Sequence, residues 1–322
     1  MNHRSKVLGL LAAAALLGLW ASLSLVAGLA SPSLGAAPAE SPTPSGAVVP
    51  LAPALRDSSV VTRTPTEVAQ GTLFQLTVSA GSGELSSATA TFGGEPLHFF
   101  PSDGGAFTAL AAAPVDAGPR LDLNLDVEYA SGVSESLTVP IPIRVGDYRM
   151  ERLTVAPEFG QPQPPEIQAR INDENARAMA VSRGSHGTPR MWQLPFVPPR
   201  DGGITSGFGH GRMFNDRVQS RHTGTDFGGG VGAPVVAPAL GRVALVDAFY
   251  LGGNVIYLDH GAGLVTAYLH LSEQNVQTGD TVEPGQIIGR VGATGRVTGP
   301  HLHWIVRYGV VSVDGLSLLA LR

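Results

Sequence analysis

The sequence predicts a mainly β protein in which two β-rich domains are joined by one helix. Three observations carry that prediction. Glycine (41 residues) and proline (25 residues) make up about a fifth of the chain, which favours short strands and turns over long helices. Several segments alternate apolar and polar residues with a period of two, the pattern of half-buried strands. One stretch, residues 164–184, has the spacing and punctuation of a helix. With 322 residues, 43% apolar and 15% charged, the chain is too apolar for a disordered polymer and long enough for two ordinary domains.

The first element is a leader. Arg4 and Lys6 precede an uncharged run from Val7 to Ala30. That run reaches about 36 Å as a helix, enough to span a bilayer. The basic end stays inside, so the rest of the chain is expected to be exported, to the periplasm or cell envelope. Residues 1–30 read equally as a signal peptide cut after Ala30 or as a membrane anchor through residues 7–30. Residues 31–56, rich in Pro, Ala and Ser, read as an extended tether.

Residues 57–148 read as an immunoglobulin-like β-sandwich. In "RLDLNLDVEY", Leu121, Leu123, Leu125, Val127 and Tyr129 fall on one face, and Asp122, Asn124, Asp126 and Glu128 on the other. "TLFQLTVSA" and "SLTVPIPIRV" alternate in the same way. Turn signals such as "AGSGE", "FGGEP" and "SDGG" separate the strands. His98 stands alone here and is expected to be packed or solvated. Residues 149–191 form a connector. Its helix has proline at the start, Gly184 as a terminator and a thin apolar stripe of Ile167, Ile171, Ala178 and Val181.

Residues 192–322 are again β-rich and dense in glycine. Of nine histidines in the chain, six lie between 210 and 303: His210, His222, His260, His270, His301 and His303. In "HLH" a strand places His301 and His303 on one face, about 6.6 Å apart. In "HTGTD", His222 and Asp226 would be about 13 Å apart on a straight strand, so a bend at Gly224 is needed to join them. Imidazole and carboxylate suit a metal site with three protein ligands and an open position. His222, Asp226 and one histidine of the pair supply three, the other remains for proton transfer, and "TAYLHLS" adds His270. His210 reads as a loop residue, His260 as structural, Asn254 as a turn residue, and Arg221 as a side chain within reach of an acidic group.

Several chemistries are excluded. There is no cysteine, hence no thiolate nucleophile, thiolate zinc site or disulfide. Net charge is −5 without a basic patch, against nucleic-acid binding. No "GxSxG" elbow and no "HExxH" helix occurs. The hairpin "GDTVEPGQIIGRVG" is similar to those of domains carrying biotin or lipoate, but no lysine follows Lys6, so it has nothing to modify.

With these residues in view, the region 204–315 resembles the lysostaphin/LytM-type zinc metallopeptidases, the M23 peptidase family. The matching stretches are "ITSGFG", "HTGTDF", "GAPVVAPALGRVA", "GGNVIYLDHGAGLVTAYLHLS" and "VQTGDTVEPGQIIGRVGATGRVTGPHLHWIV". The resemblance implies a barrel-sandwich-like domain binding Zn2+ through His222, Asp226 and His303, with His270 and His301 catalytic. It further implies hydrolysis of peptide bonds in the cross-links or stem peptides of peptidoglycan, and a cell-envelope regulatory protein as a second partner. The rival reading is a non-catalytic relative that activates other wall hydrolases; it requires lost ligands, and all five positions are intact. One departure from the family pattern, Asp314-Gly315 where many relatives carry proline, is expected to affect only a loop.

Overall fold

Arg120–Tyr129 forms a strand whose alternate residues are buried, Leu123, Leu125 and Val127 inward and the acidic side chains outward. It pairs antiparallel with Ser134–Arg144 on one side and Leu85–Phe92 on the other, within a five-stranded sheet. A second sheet of four strands is built on Leu73–Ser79, flanked by Val60–Thr64 and Phe107–Ala112. Phe74, Leu76, Phe92, Leu123 and Ile141 fill the space between them. The computed structural model describes residues 58–322. The expected leader (1–30) and tether (31–56) lie outside the described residues, among which no helix is long and apolar enough to cross a membrane.

The helix forms over Pro165–Gly184, with proline pre-set for its first turn. Gly184 is its last residue, as expected, though not as a left-handed cap. Its backbone is helical, and the chain runs on into a short turn over Ser185–Gly187 before straightening. Ile171 and Ala178 are buried as the stripe required, but so are Glu174 and Ser182. Glu174 is satisfied there by Arg170 Nε at 2.7 Å and the Tyr250 backbone N–H at 2.8 Å. Ala178 packs on Phe249, Val255, Tyr257, Val265, Ala267 and Ile305.

Those residues belong to the long antiparallel sheet of the C-terminal half. Its central strands are Gly241–Phe249, Gly253–Gly261, Leu264–Leu271, His301–Tyr308 and Thr225–Gly228. Both faces are covered: Leu302, Trp304, Val306 and Tyr308 enter the main core, and Ile305 faces the helix. A three-stranded sheet of Pro234–Val236, Ile287–Arg290 and Glu273–Gln274 lies apart from it in hydrogen bonding. The segment expected to be only a connector adds a strand instead. Met150–Leu153 pairs in parallel with Gly211–Phe214, which in turn pairs with Val218–Arg221. This small sheet stands beside the site.

Candidate metal centre

His222 lies just after the strand Val218–Arg221, and Asp226 lies in the next strand, Thr225–Gly228. Between them the chain bends at Gly224. A Cβ there would lie 2.5 Å from the Trp304 carbonyl oxygen and 2.8 Å from His303 Cε1, so only glycine allows this close approach. Asp226 stands directly opposite His303 in the antiparallel pair, and Gly228 opposite His301. The register therefore delivers both histidines of "HLH" to the carboxylate.

Three donor atoms converge. His222 Nε2 is 3.0 Å from Asp226 Oδ1 and 2.9 Å from His303 Nδ1, which is 2.7 Å from the same oxygen. All three residues are buried, and they form the one group among the described residues with the spacing of a metal site. The tautomers explain why a cation suits it. His222 Nδ1 lies 2.6 Å from the Gly207 carbonyl and donates to it, leaving Nε2 as a lone pair. Burial pushes His303 down to about 4, against the pull of Asp226, so its ring is neutral. At most one hydrogen then lies among three converging acceptors, and a divalent ion removes their mutual repulsion. Burial would raise Asp226, but the imidazoles of His222 and His303 beside it hold its carboxyl well below the ordinary range. The donor set of two imidazoles and one carboxylate fits a divalent metal.

The other two candidate residues border this point. His301 Nε2 lies 3.7 Å from Asp226 Oδ1, and its Nδ1 lies 2.8 Å from the Gly299 carbonyl. The His270 ring centroid is 5.0 Å from that of His301 and 5.8 Å from that of His303. Its Nδ1 lies 2.8 Å from the Thr294 carbonyl. Strand alternation alone would send His270 to the core face beside Tyr268. Instead the pairing slips between Ile256–Tyr268 and Asn254–Leu271, one extra residue forms a bulge, and His270 takes φ +64°. The reversed backbone turns the ring onto the site face. Burial, then the neighbouring His303 and His301, hold it well below the usual imidazole value.

The sequence did not single out the residues behind Asp226. Arg212 Nη2 donates to Asp226 Oδ2 at 2.6 Å and to Ser206 Oγ at 2.9 Å, and its Nε donates to Glu151 at 3.2 Å. Glu151 comes from the strand Met150–Leu153 and also meets His210 Nδ1 at 2.9 Å. His210 is thus a loop residue tied to the outer layer of the site. The only available signal was composition, since Glu151 and Asp226 lie too far apart in the chain for spacing to relate them. His260 is buried at the other end of its strand, bonded to Leu240 O and Thr266 Oγ1. Asn254 is a strand residue whose N–H donates to Thr294 Oγ1 at 3.0 Å. Asp314-Gly315 is more than a loop. Asp314 caps a short helix, accepts from Thr225 Oγ1 at 3.2 Å, and is followed by a glycine that the Trp304 ring overlies.

Residues 220–315 match the family model described as Peptidase family M23. Peptidoglycan DD-endopeptidase ShyC of Vibrio cholerae is 46% identical over 83 residues, 26% of this chain and 19% of the relative. DD-carboxypeptidase/endopeptidase Mpg of Neisseria meningitidis is 39% identical over 146 residues, 45% of this chain and 32% of the relative. The chain thus spans about a fifth to a third of the length of these curated relatives. A crystal structure assigned to peptidase M23 from Pseudomonas aeruginosa superposes with a TM-score of 0.60 at 27% identity, covering 79% of this chain and 95% of that one. Beyond a likeness of motifs, then, this chain carries a domain of peptidase family M23, residues 220–315.

Proposed function

We propose that the protein is a zinc-dependent endopeptidase of the cell envelope that hydrolyses peptide bonds in peptidoglycan. The observation that carries this reading is the convergence of His222 Nε2, Asp226 Oδ1 and His303 Nδ1, within 3.0 Å of one another, beside two histidines with unbonded Nε2 atoms. The names of the relatives supply the substrate class. Export rests on the basic start and apolar run of residues 1–30. We take residues 192–322 as the peptidase domain, 57–148 as the immunoglobulin-like domain, and 149–191 as the connector.

His222, Asp226 and His303 would hold the ion. When bound, zinc supplies Lewis acidity, polarising a carbonyl and making water acidic near neutral pH. The chain's own residues handle the protons. His270 and His301 each direct Nδ1–H to a carbonyl, of Thr294 and Gly299, so each presents Nε2 as a base. Burial keeps His270 neutral, ready to accept the proton of the attacking water and return it to the leaving amine. Arg212, bonded to Asp226 Oδ2, holds the carboxylate so that Oδ1 faces the ligand point.

Digestion of purified peptidoglycan by the full-length chain, with mass spectrometry of the fragments, tests the reading. His303→Ala is expected to lose both zinc and cleavage. His301→Ala is expected to lose cleavage while keeping most of its zinc. Cleavage by the His303 variant would refute the ligand assignment.

A further inference from the structure

The cleft beside the ligand point is lined by three arginines that no acid among the described residues balances, Arg221, Arg296 and Arg307; of these, Arg307 spends its donors on Ser182 Oγ and Ser312 Oγ. Arg212 is matched by Asp226 and Glu151, and Glu174 by Arg170. Arg296 has no such partner. The groups acting on it are the surrounding protein, which desolvates it, and the like charge of Arg212, and together they lower it to about 10. A bound anion would relieve both.

Its placement is specific. Arg296 lies on the wall shared by two hollows, one lined by His222 and His303, the other by Asp226, His270 and His301. The guanidinium stacks 4.0 Å from the Phe214 ring centroid, which fixes its plane and leaves its donors free. The backbone is pinned as well. Arg296 N–H donates to Leu251 O at 2.9 Å, and Gly295 before it has φ +75° with the backbone of residues 251–253 closed against it. Two residues earlier, Thr294 O holds His270 Nδ1. One rigid loop therefore sets both a base and an unneutralised cation. Arg221 also lines the cleft, but it is exposed and donates to Gly209 O at 2.9 Å.

We infer that Arg296 is the specificity residue that receives an α-carboxylate next to the scissile amide, an inference that rests on the cleavage proposed above. A guanidinium fork matches a carboxylate in two parallel hydrogen bonds. An uncharged bridge in the same place would leave the half-buried cation without a counter-charge, which weakens binding of such substrates. Two substrates carry this group: a cross-link, on the residue supplying the scissile nitrogen, and an uncross-linked stem, at its terminal alanine.

The test uses the full-length wild type, Arg296→Gln and Arg296→Lys. Each is given cross-linked dimers and linear stem peptides, with the carboxylate in question free or amidated. Wild type is expected to favour the free acid in kcat/KM by about tenfold to a hundredfold, and the pair showing the preference identifies the source. Arg296→Gln is expected to abolish the preference by slowing only the free acid, and Arg296→Lys to retain part of it. Equal slowing of free and amidated substrates, or a preference unchanged by Arg296→Gln, overturns the inference. Calorimetric binding of the same pairs to the metal-free chain reads the preference without cleavage. Preference in binding with no substrate cut upholds the role of Arg296 and overturns the peptidase reading instead.

Discussion

A side chain at position 224 would collide with both the ring of His303 and the backbone of Trp304. Gly224→Ala is therefore expected to spread His222 from His303, weakening metal retention and costing about 1–3 kcal/mol of stability. Equilibrium dialysis of zinc and urea unfolding measure the two effects. The outer layer acts through orientation. Arg212→Gln removes the charged partner of Asp226 Oδ2, and a change of this kind costs roughly tenfold to a hundredfold in metal affinity. Competition with a chelator reads that loss directly; an unchanged affinity would show that Asp226 holds its place without Arg212.

Between strands, the decisive feature is the bulge at His270. It is held by Thr294, whose Oγ1 accepts from Asn254 N–H and donates to Leu271 O, both at 3.0 Å. Thr294→Val removes both bonds while keeping the shape, so a stability loss of about 1–2 kcal/mol is expected, with cleavage slowed as His270 loosens. Farther along the same sheet, His260 is fully buried, and desolvation lowers it from 6.5 to about 4. The folded chain therefore needs its neutral form, whereas the unfolded chain takes up the proton near 6.5. Stability from this group is complete above that pH and is lost as pH falls through about 4, to the extent of about 3 kcal/mol. Denaturant midpoints between pH 7 and pH 4 check this: His260→Gln should start less stable at neutral pH and show a shallower decline.

Across the whole molecule, the sandwich and the long sheet are bonded to each other within one compact unit of described residues. Glu95 in the strand Glu95–Leu97 meets His186 Nε2 at 2.8 Å and accepts from Val310 N–H at 2.9 Å, while His98 Nε2 lies 2.9 Å from His186 Nδ1. His98, expected to be packed or solvated, is packed in this seam. Asp314 N–H donates to Gly71 O at 2.7 Å from the other side. Gly309 has φ +52°, and a Cβ there would strike the Glu95 carboxylate and the His186 ring. Gly309→Ala is expected to lower stability by about 1–3 kcal/mol, read as a shift in the urea midpoint; no shift would mean that the seam yields freely. Much of this molecule was legible in the chain, because alternation in "RLDLNLDVEY", the stripe of the 164–184 helix and the spacing of "HTGTD" and "HLH" are local patterns, and period and bend chemistry act between near neighbours. By itself the sequence determined the β-rich class, the helix and a histidine-rich site holding one carboxylate. Tertiary structure alone decided that His303 presents Nδ1, that His270 turns to the site face, and that Glu151 and Arg212 stand behind Asp226. Those outcomes depend on register, a one-residue bulge and a strand added from far upstream, which are set by the packing of distant segments and leave no trace in local spacing.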